Sequence, residues 1–115
     1  MALIAMAVLA ACGGGGGTSQ PSGSIKITMT EYKFDPATPT APSGKVVFFL
    51  VNVGSVAHDM VIRDSTGKRL QASELVSAGD SKVFTVDTIA AGSYTIFCDQ
   101  PGHEASGMKG TLTVT

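Results

Sequence analysis

From Ile25 to Thr115 the chain is divided into short apolar or alternating runs, punctuated by turn-forming pairs at Ser43-Gly44, Thr66-Gly67, Ala78-Gly79, Ala91-Gly92 and Pro101-Gly102. No run keeps a helical period long enough to bury one face as a helix, so each must find a partner strand. "SIKITMT" sets Ile25, Ile27 and Met29 against Lys26, Thr28 and Thr30, giving one dry face and one wet face. "KVVFFLVNV" is apolar without interruption from Val46 to Val51, the pattern of a central strand covered on both faces. "DMVIRD", "SKVFTVD", "GSYTIFC" and "KGTLTVT" supply further strands. Pro36, Pro39 and Pro42 keep residues 35 to 43 irregular or at a sheet edge. The stretch "STGKRLQASELV", residues 65 to 76, is expected to be an excursion from the sheets with a short helical turn. About seven to eight strands in about 90 residues, with turns every eight to twelve, predict an all-β fold, a Greek-key β-sandwich.

A chain of 115 residues, 43% hydrophobic and 15% charged, holds one such core. Eight Lys and Arg against nine Asp and Glu leave a net charge of −1. No basic run is available to neutralise a phosphate backbone, which excludes nucleic acid as a partner class.

The front of the chain has a different character. "MALIAMAVLAAC" is uncharged and apolar yet far shorter than the roughly 20 residues that span a bilayer, so residues 1–11 read as the apolar core of an export signal. Leu9, Ala10, Ala11 and Cys12 resemble the lipobox of bacterial lipoproteins, in which small residues precede a cysteine that is lipidated and becomes the new N-terminus. No Lys or Arg precedes the apolar run, and eleven residues precede Cys12. An ordinary signal has about 15–30, so the translation start is expected to lie further upstream. "GGGGGTSQPSGS", residues 13–24, carries no apolar side chain. With Cys12 it reads as a flexible tether, residues 12–24, with a root-mean-square span of about 19 Å, ahead of a folded domain at 25–115. The expectation is an extracytoplasmic domain, periplasmic or at the cell surface, lipid-anchored through Cys12 to a bacterial membrane.

The chemistry concentrates in "CDQPGHEASGMKG", residues 98 to 110. Four residues separate Cys98 from His103 and four more separate His103 from Met108, with Pro101, Gly102, Gly107 and Gly110 folding the segment back on itself. Since "GSYTIFC" and "KGTLTV" read as adjacent strands, this loop sits at one end of the sandwich. His58 follows the turn "NVGSVA", and a crossing to the other sheet brings it to the same end. Two imidazoles, a thiolate and a thioether then converge, the donor set of a trigonal His₂Cys copper site with a weak axial Met.

Other chemistries fit less well. Structural zinc favours a second CxxC or HxxxH pair, and a thioether is a poor fourth ligand for it. A binuclear copper centre needs a second loop cysteine. Nucleophilic Cys–His catalysis leaves Met108 without a role. A disulfide between Cys12 and Cys98 would tie a tether to a core strand end and ranks below lipidation of Cys12.

Residues 25 to 115 resemble the cupredoxins, the small type 1 blue copper proteins. The resemblance is carried by "YKFDP", "GKVVFFLVNVG", "HDMVI" and "GSYTIFCDQPGHEASGMKGTLTV". The two four-residue spacings are most similar to the auracyanin branch, with azurin and plastocyanin next. The resemblance implies one copper ion held by His58, Cys98 and His103 with Met108 axial. It implies a loop-holding role for Asn52. It also draws attention to Asp59, where the family often has Asn; a carboxylate there accepts and does not donate, so Asp59 is expected to take backbone N–H groups of the ligand loop. His103, with Pro101 and Gly102, corresponds to the family's electron exit through an apolar patch. The implied function is a monomeric, membrane-tethered carrier of single electrons, not an enzyme. Its partners would be redox proteins such as a cytochrome c or a membrane electron-transfer complex. Asp99 and Glu104 beside the exit either favour a basic partner or are ordinary solvated charges. A copper storage or delivery lipoprotein is the alternative, as is a metal-free structural module.

Overall fold

The structure, a computed structural model, describes residues 18–115. The signal segment, Cys12 and the first part of the tether lie outside the described residues. Nine strands follow in chain order: β1 (Ile25–Thr30), β2 (Lys33–Asp35), β3 (Thr40–Ala41), β4 (Gly44–Asn52), β5 (Val61–Arg63), β6 (Arg69–Ala72), β7 (Ser81–Ile89), β8 (Gly92–Phe97) and β9 (Lys109–Val114). No helix among the described residues is long and apolar enough to cross a membrane.

The strands form two sheets, one in the order β2-β1-β4-β7 and the other β3-β9-β8-β5-β6. The alternation of β1 places Ile27 and Met29 inward with no exposed surface. β4 runs parallel to β1, Ile27 opposite Leu50, and antiparallel to β7, Phe48 opposite Phe84. Its central position agrees with the unbroken apolar run. Its outer face is only partly covered, since Val47 and Val51 are half-buried. In the second sheet Ile62, Ile96 and Leu112 point inward from β5, β8 and β9, completing the core. The Phe48 and Phe84 rings stack within it at 5.9 Å.

Two expectations need correction. Residues 65–76 hold no helical turn: Gly67, at a positive φ of 88°, closes a turn and the chain returns as β6, paired with β5. β6 is exposed along its length, so burial writes no alternation into its sequence. Among the described residues the strands number nine rather than seven to eight, because β2, β3 and β6 are edge pieces of two to four residues. The prolines do lie at edges, with Pro36 and Pro39 between β2 and β3 and Pro42 after β3.

The parallel pair β1 and β4 ends at one end of the sandwich, where β8 also ends. The segments after these three strands, residues 31–32, 53–59 and 98–108, therefore meet. This convergence rests on the core beneath it. Phe48→Ala, which removes a fully buried ring and its stack on Phe84, is expected to lower stability by about 3–5 kcal/mol. Urea unfolding measures it, and a loss below about 1 kcal/mol would mean that the sheets are not held together at this point.

Candidate metal centre

Three donor atoms meet where the loops converge. His58 Nδ1 lies 3.2 Å from His103 Nδ1 and 4.0 Å from Cys98 Sγ, and Cys98 Sγ lies 3.4 Å from His103 Nδ1. A triangle with these sides has its centre about 2.1 Å from each corner, taking the product of the sides over four times the area. That is the length of a bond from a first-row metal to imidazole or thiolate, about 2.0–2.3 Å. His58 and Cys98 have no exposed surface and His103 is half-buried. The set matches copper: one soft sulfur and two imidazoles that accept either oxidation state. The group is able to hold one copper ion, consistent with a type 1 site.

Each donor is fixed by its own loop. Cys98 directly follows β8, and its N–H donates to the Met108 carbonyl at 3.1 Å, while Met108 N–H donates to the His103 carbonyl at 3.0 Å. The main chain thus ties together Cys98, His103 and Met108, and Met108 is fully buried, a member of the same core cluster as Cys98. The loop between them is a chain of turns, closed by Gly107 N–H to the Glu104 carbonyl at 2.9 Å. Gly102 and Gly107 take the positive φ values, 78° and 108°, that let it curl so tightly. His58 is not inside β5 but forms an isolated bridge with Val76, donating to its carbonyl at 3.1 Å and accepting from its N–H at 2.8 Å.

Asn52 holds the loop before His58. Its Nδ2 donates to the carbonyls of Val56 at 2.8 Å and Val76 at 2.9 Å, and its Oδ1 accepts from Gly54 N–H at 2.9 Å. Asp59 Oδ1 accepts the Asp99 N–H at 2.9 Å, a bond between the two ligand loops. Burial raises the Asp59 carboxyl to about 6, with Asp99 contributing, while the hydrogen bond with Asp59 lowers Asp99.

Pro101 and Gly102 are exposed beside His103. Tyr32, also exposed, meets the His103 ring edge-on with centroids 5.0 Å apart. Asp99 and Glu104 are not free solvated charges. Arg63 grips Glu104 with two hydrogen bonds, 3.2 and 2.6 Å, and Arg69 binds Asp99 at 2.8 Å. Both guanidinium groups lie over Phe97, 4.4 and 5.8 Å from its centroid. Each of the two acids is paired with an arginine of the same chain.

Sequence reasoning missed Tyr32, which packs against the His103 ring, and Glu31, which contacts His58. Glu31, at the end of β1, has Oε1 3.3 Å from His58 Nε2 and accepts from the N–H groups of Ser55 at 2.8 Å and Val56 at 3.1 Å. The Ser55 N–H is the main reason its carboxyl falls to about 2. A lone Glu after an alternating strand carries no local signal, since its contacts depend on the parallel pairing of β1 with β4.

Comparison with known proteins agrees with this geometry. The family model of the cupredoxin-like domain matches residues 1–114. The chain is 28% identical over 116 residues to the copper-resistant cuproprotein CopI of Rubrivivax gelatinosus, covering 86% of this chain and 70% of that protein. It is 33% identical over 93 residues to plastocyanin of Dryopteris crassirhizoma, covering 72% of this chain and 88% of the plastocyanin. The crystal structure of reduced auracyanin from Roseiflexus castenholzii superposes with a TM-score of 0.71 over 84% of this chain and 99% of that one, at 23% identity, a likeness of fold.

The buried thiol makes metal entry a protonic event. Burial pushes Cys98 up to about 11, so it holds its proton at pH 7. Burial, opposed by the Glu31 contact, lowers His58, leaving its imidazole neutral there. Loading Cu(II) at pH 7 is expected to release about one proton per copper, read in weakly buffered solution with a pH indicator, and Cys98→Ser should suppress it. Equal release from the serine variant would show that the metal takes another ligand.

Proposed function

The chain belongs to the cupredoxin-like domain family, and on that premise we propose that it carries single electrons between redox proteins through one copper ion held by His58, Cys98, His103 and Met108. The observation that carries this reading is the triangle of Nδ1, Nδ1 and Sγ, whose centre lies at metal-bond distance from all three donors. Copper bound there supplies a one-electron couple between Cu(II) and Cu(I). The protein's part is to present the same donors to both states. His58 and Cys98 are fully buried on backbone held by main-chain bonds, which limits how far they would rearrange with the charge of the ion. Met108, buried and bonded to both Cys98 and His103 through its backbone, would supply a weak thioether donor. His103, beside exposed Pro101, Gly102 and Tyr32, is the contact through which the electron leaves. Pro101 and Gly102 would give that contact its nonpolar part, flanked by the ion pairs of Asp99 and Glu104, for a cytochrome c or a membrane electron-transfer complex. The protein acts as a monomer and transforms no substrate.

A second reading, copper storage or delivery, is favoured by the likeness to a protein named for copper resistance. The two differ in what leaves the site first. A carrier, loaded with copper, is intensely blue or green from sulfur-to-copper charge transfer and exchanges electrons rapidly in mixtures of reduced and oxidised protein, as NMR line broadening reports. Pro101→Glu should slow that exchange by repulsion between two identical patches while leaving the visible spectrum nearly unchanged. A store shows slow exchange, ready Cu(I) transfer to a competing chelator and no sensitivity at Pro101. A colourless protein after loading would sink both the site and the carrier.

The working place is the extracytoplasmic face of a bacterial membrane, with residues 1–11 as export signal, Cys12 lipidated and residues 12–24 as tether to the copper domain at 25–115. Two or more acyl chains anchor firmly, because each buried CH₂ contributes about 0.8 kcal/mol. Cys12→Ser, introduced with the genomic upstream sequence in place, is expected to shift the protein from the membrane fraction to the soluble or unprocessed pool. Retention of the serine variant on membranes at high salt would overturn the lipid anchor.

A further inference from the structure

His58 has two ring nitrogens, and the structure assigns each a direction. Nδ1 faces Cys98 Sγ and His103 Nδ1; Nε2 faces Glu31 Oε1 at 3.3 Å. A nitrogen that gives its lone pair to a metal carries no proton, so the proton of the neutral ring sits on Nε2 and is donated to the carboxylate, which only accepts.

Glu31 reaches His58 from 27 residues away and is itself held by the loop that carries His58. Its Oε1 takes the N–H groups of Ser55 and Val56, three and two residues before the histidine. The loop also makes room for it. A Cβ on Gly54 would overlap the Glu31 carboxylate, yet Gly54 does not have the positive φ that would call for glycine on backbone grounds. An alanine at 54 would have to push the carboxylate aside, so the glycine leaves the carboxylate its place against the loop. One third of the Glu31 side chain remains exposed, so the group is an anchor at the rim of the site and not a core residue.

We propose that Glu31 is the positioning residue of His58, fixing the ring with Nδ1 toward Cys98 and His103 and, as a charged acceptor, biasing the bound ion toward its oxidised state. The proposal rests on the copper reading above. A carboxylate behind a metal-bound imidazole orients the ring and raises its basicity, and removing such a partner costs about 10–100-fold in metal affinity. The more basic ligand favours the more highly charged ion, so the effect falls unequally on Cu(II) and Cu(I).

The test compares the purified wild-type protein with Glu31→Gln, Glu31→Ala and Gly54→Ala. In the metal-free wild type, ¹⁵N NMR should show His58 as the Nε2–H tautomer with a slowly exchanging proton. Glu31→Gln keeps an acceptor oxygen without the charge, so the proton should stay slow. In the copper-loaded form its Cu(II)/Cu(I) affinity ratio should fall about tenfold, a rise in reduction potential of about 59 mV for one electron. Glu31→Ala should raise the potential at least as far and speed exchange of the Nε2 proton by at least tenfold. Gly54→Ala should reproduce the alanine phenotype with the carboxylate still in the chain, and should add nothing when combined with Glu31→Ala. An Nδ1–H tautomer in the metal-free wild type would overturn the proposal. So would Glu31 variants that move only the urea midpoint and leave potential and proton exchange at wild-type values, the behaviour of a simple loop cap. Failure of the copper reading is distinct: the wild type itself would then show no charge-transfer band, while the tautomer and exchange measurements still decide whether Glu31 positions His58.

Discussion

Burying polar side chains at the end of an apolar sandwich makes it costly to leave them without partners, and the architecture of this protein's metal-binding end follows from that cost, Thr30 Oγ1 alone among the buried polar side-chain atoms described being left without one. Asn52, His58 and Asp59 are all nearly or fully inaccessible. An unpaired buried polar group costs about 1–3 kcal/mol, a large share of the roughly 5–15 kcal/mol that keeps a domain folded. Asn52 answers with three hydrogen bonds, Asp59 with the N–H of Asp99, and His58 with Glu31. Asn52 with Val76, His58 with Glu31 and Asp59 with Asp99 each join segments 24 to 40 residues apart. Satisfying the buried groups and bringing the donors together are thus one structural act.

The same end of the molecule has two unlike sides. Toward β5 and β6 the loop after Cys98 is clamped: Arg63 and Arg69 cover Phe97 and neutralise Glu104 and Asp99. Exposed ion pairs of this kind add little stability singly, but here two of them share one aromatic platform and fix the stem of the loop. On the other side the His103 ring meets the exposed Tyr32, edge-on. A site built this way keeps its donors still on one side and reachable on the other.

The sheets were legible where burial is one-sided. β1, β4, β7, β8 and β9 each carry an alternating or unbroken apolar run because a core face selects it. β2, β3 and β6 have two to four residues, and β6 buries nothing, so no periodicity was there to read. The grouping of Cys98 with His103 was legible because both sit in one loop bounded by strands, where spacing along the chain is nearly spacing in the fold. His58 required the crossing between sheets, which the turn at 52–57 implied. Glu31, Arg63 and Arg69 were silent: each is an ordinary charged residue on or beside a strand, and its meaning comes from a neighbour 27 to 41 positions away.

The donors come from opposite ends of a long stretch of chain, Cys98 standing 40 residues after His58. An ion bound to both closes that stretch into a ring, as a disulfide would. Forbidding the unfolded chain to open a ring of this length is worth about 4 kcal/mol in loop entropy. The metal is in this sense a removable rivet, and the resistance of the protein to heat and proteases becomes a readout of whether the rivet is in place.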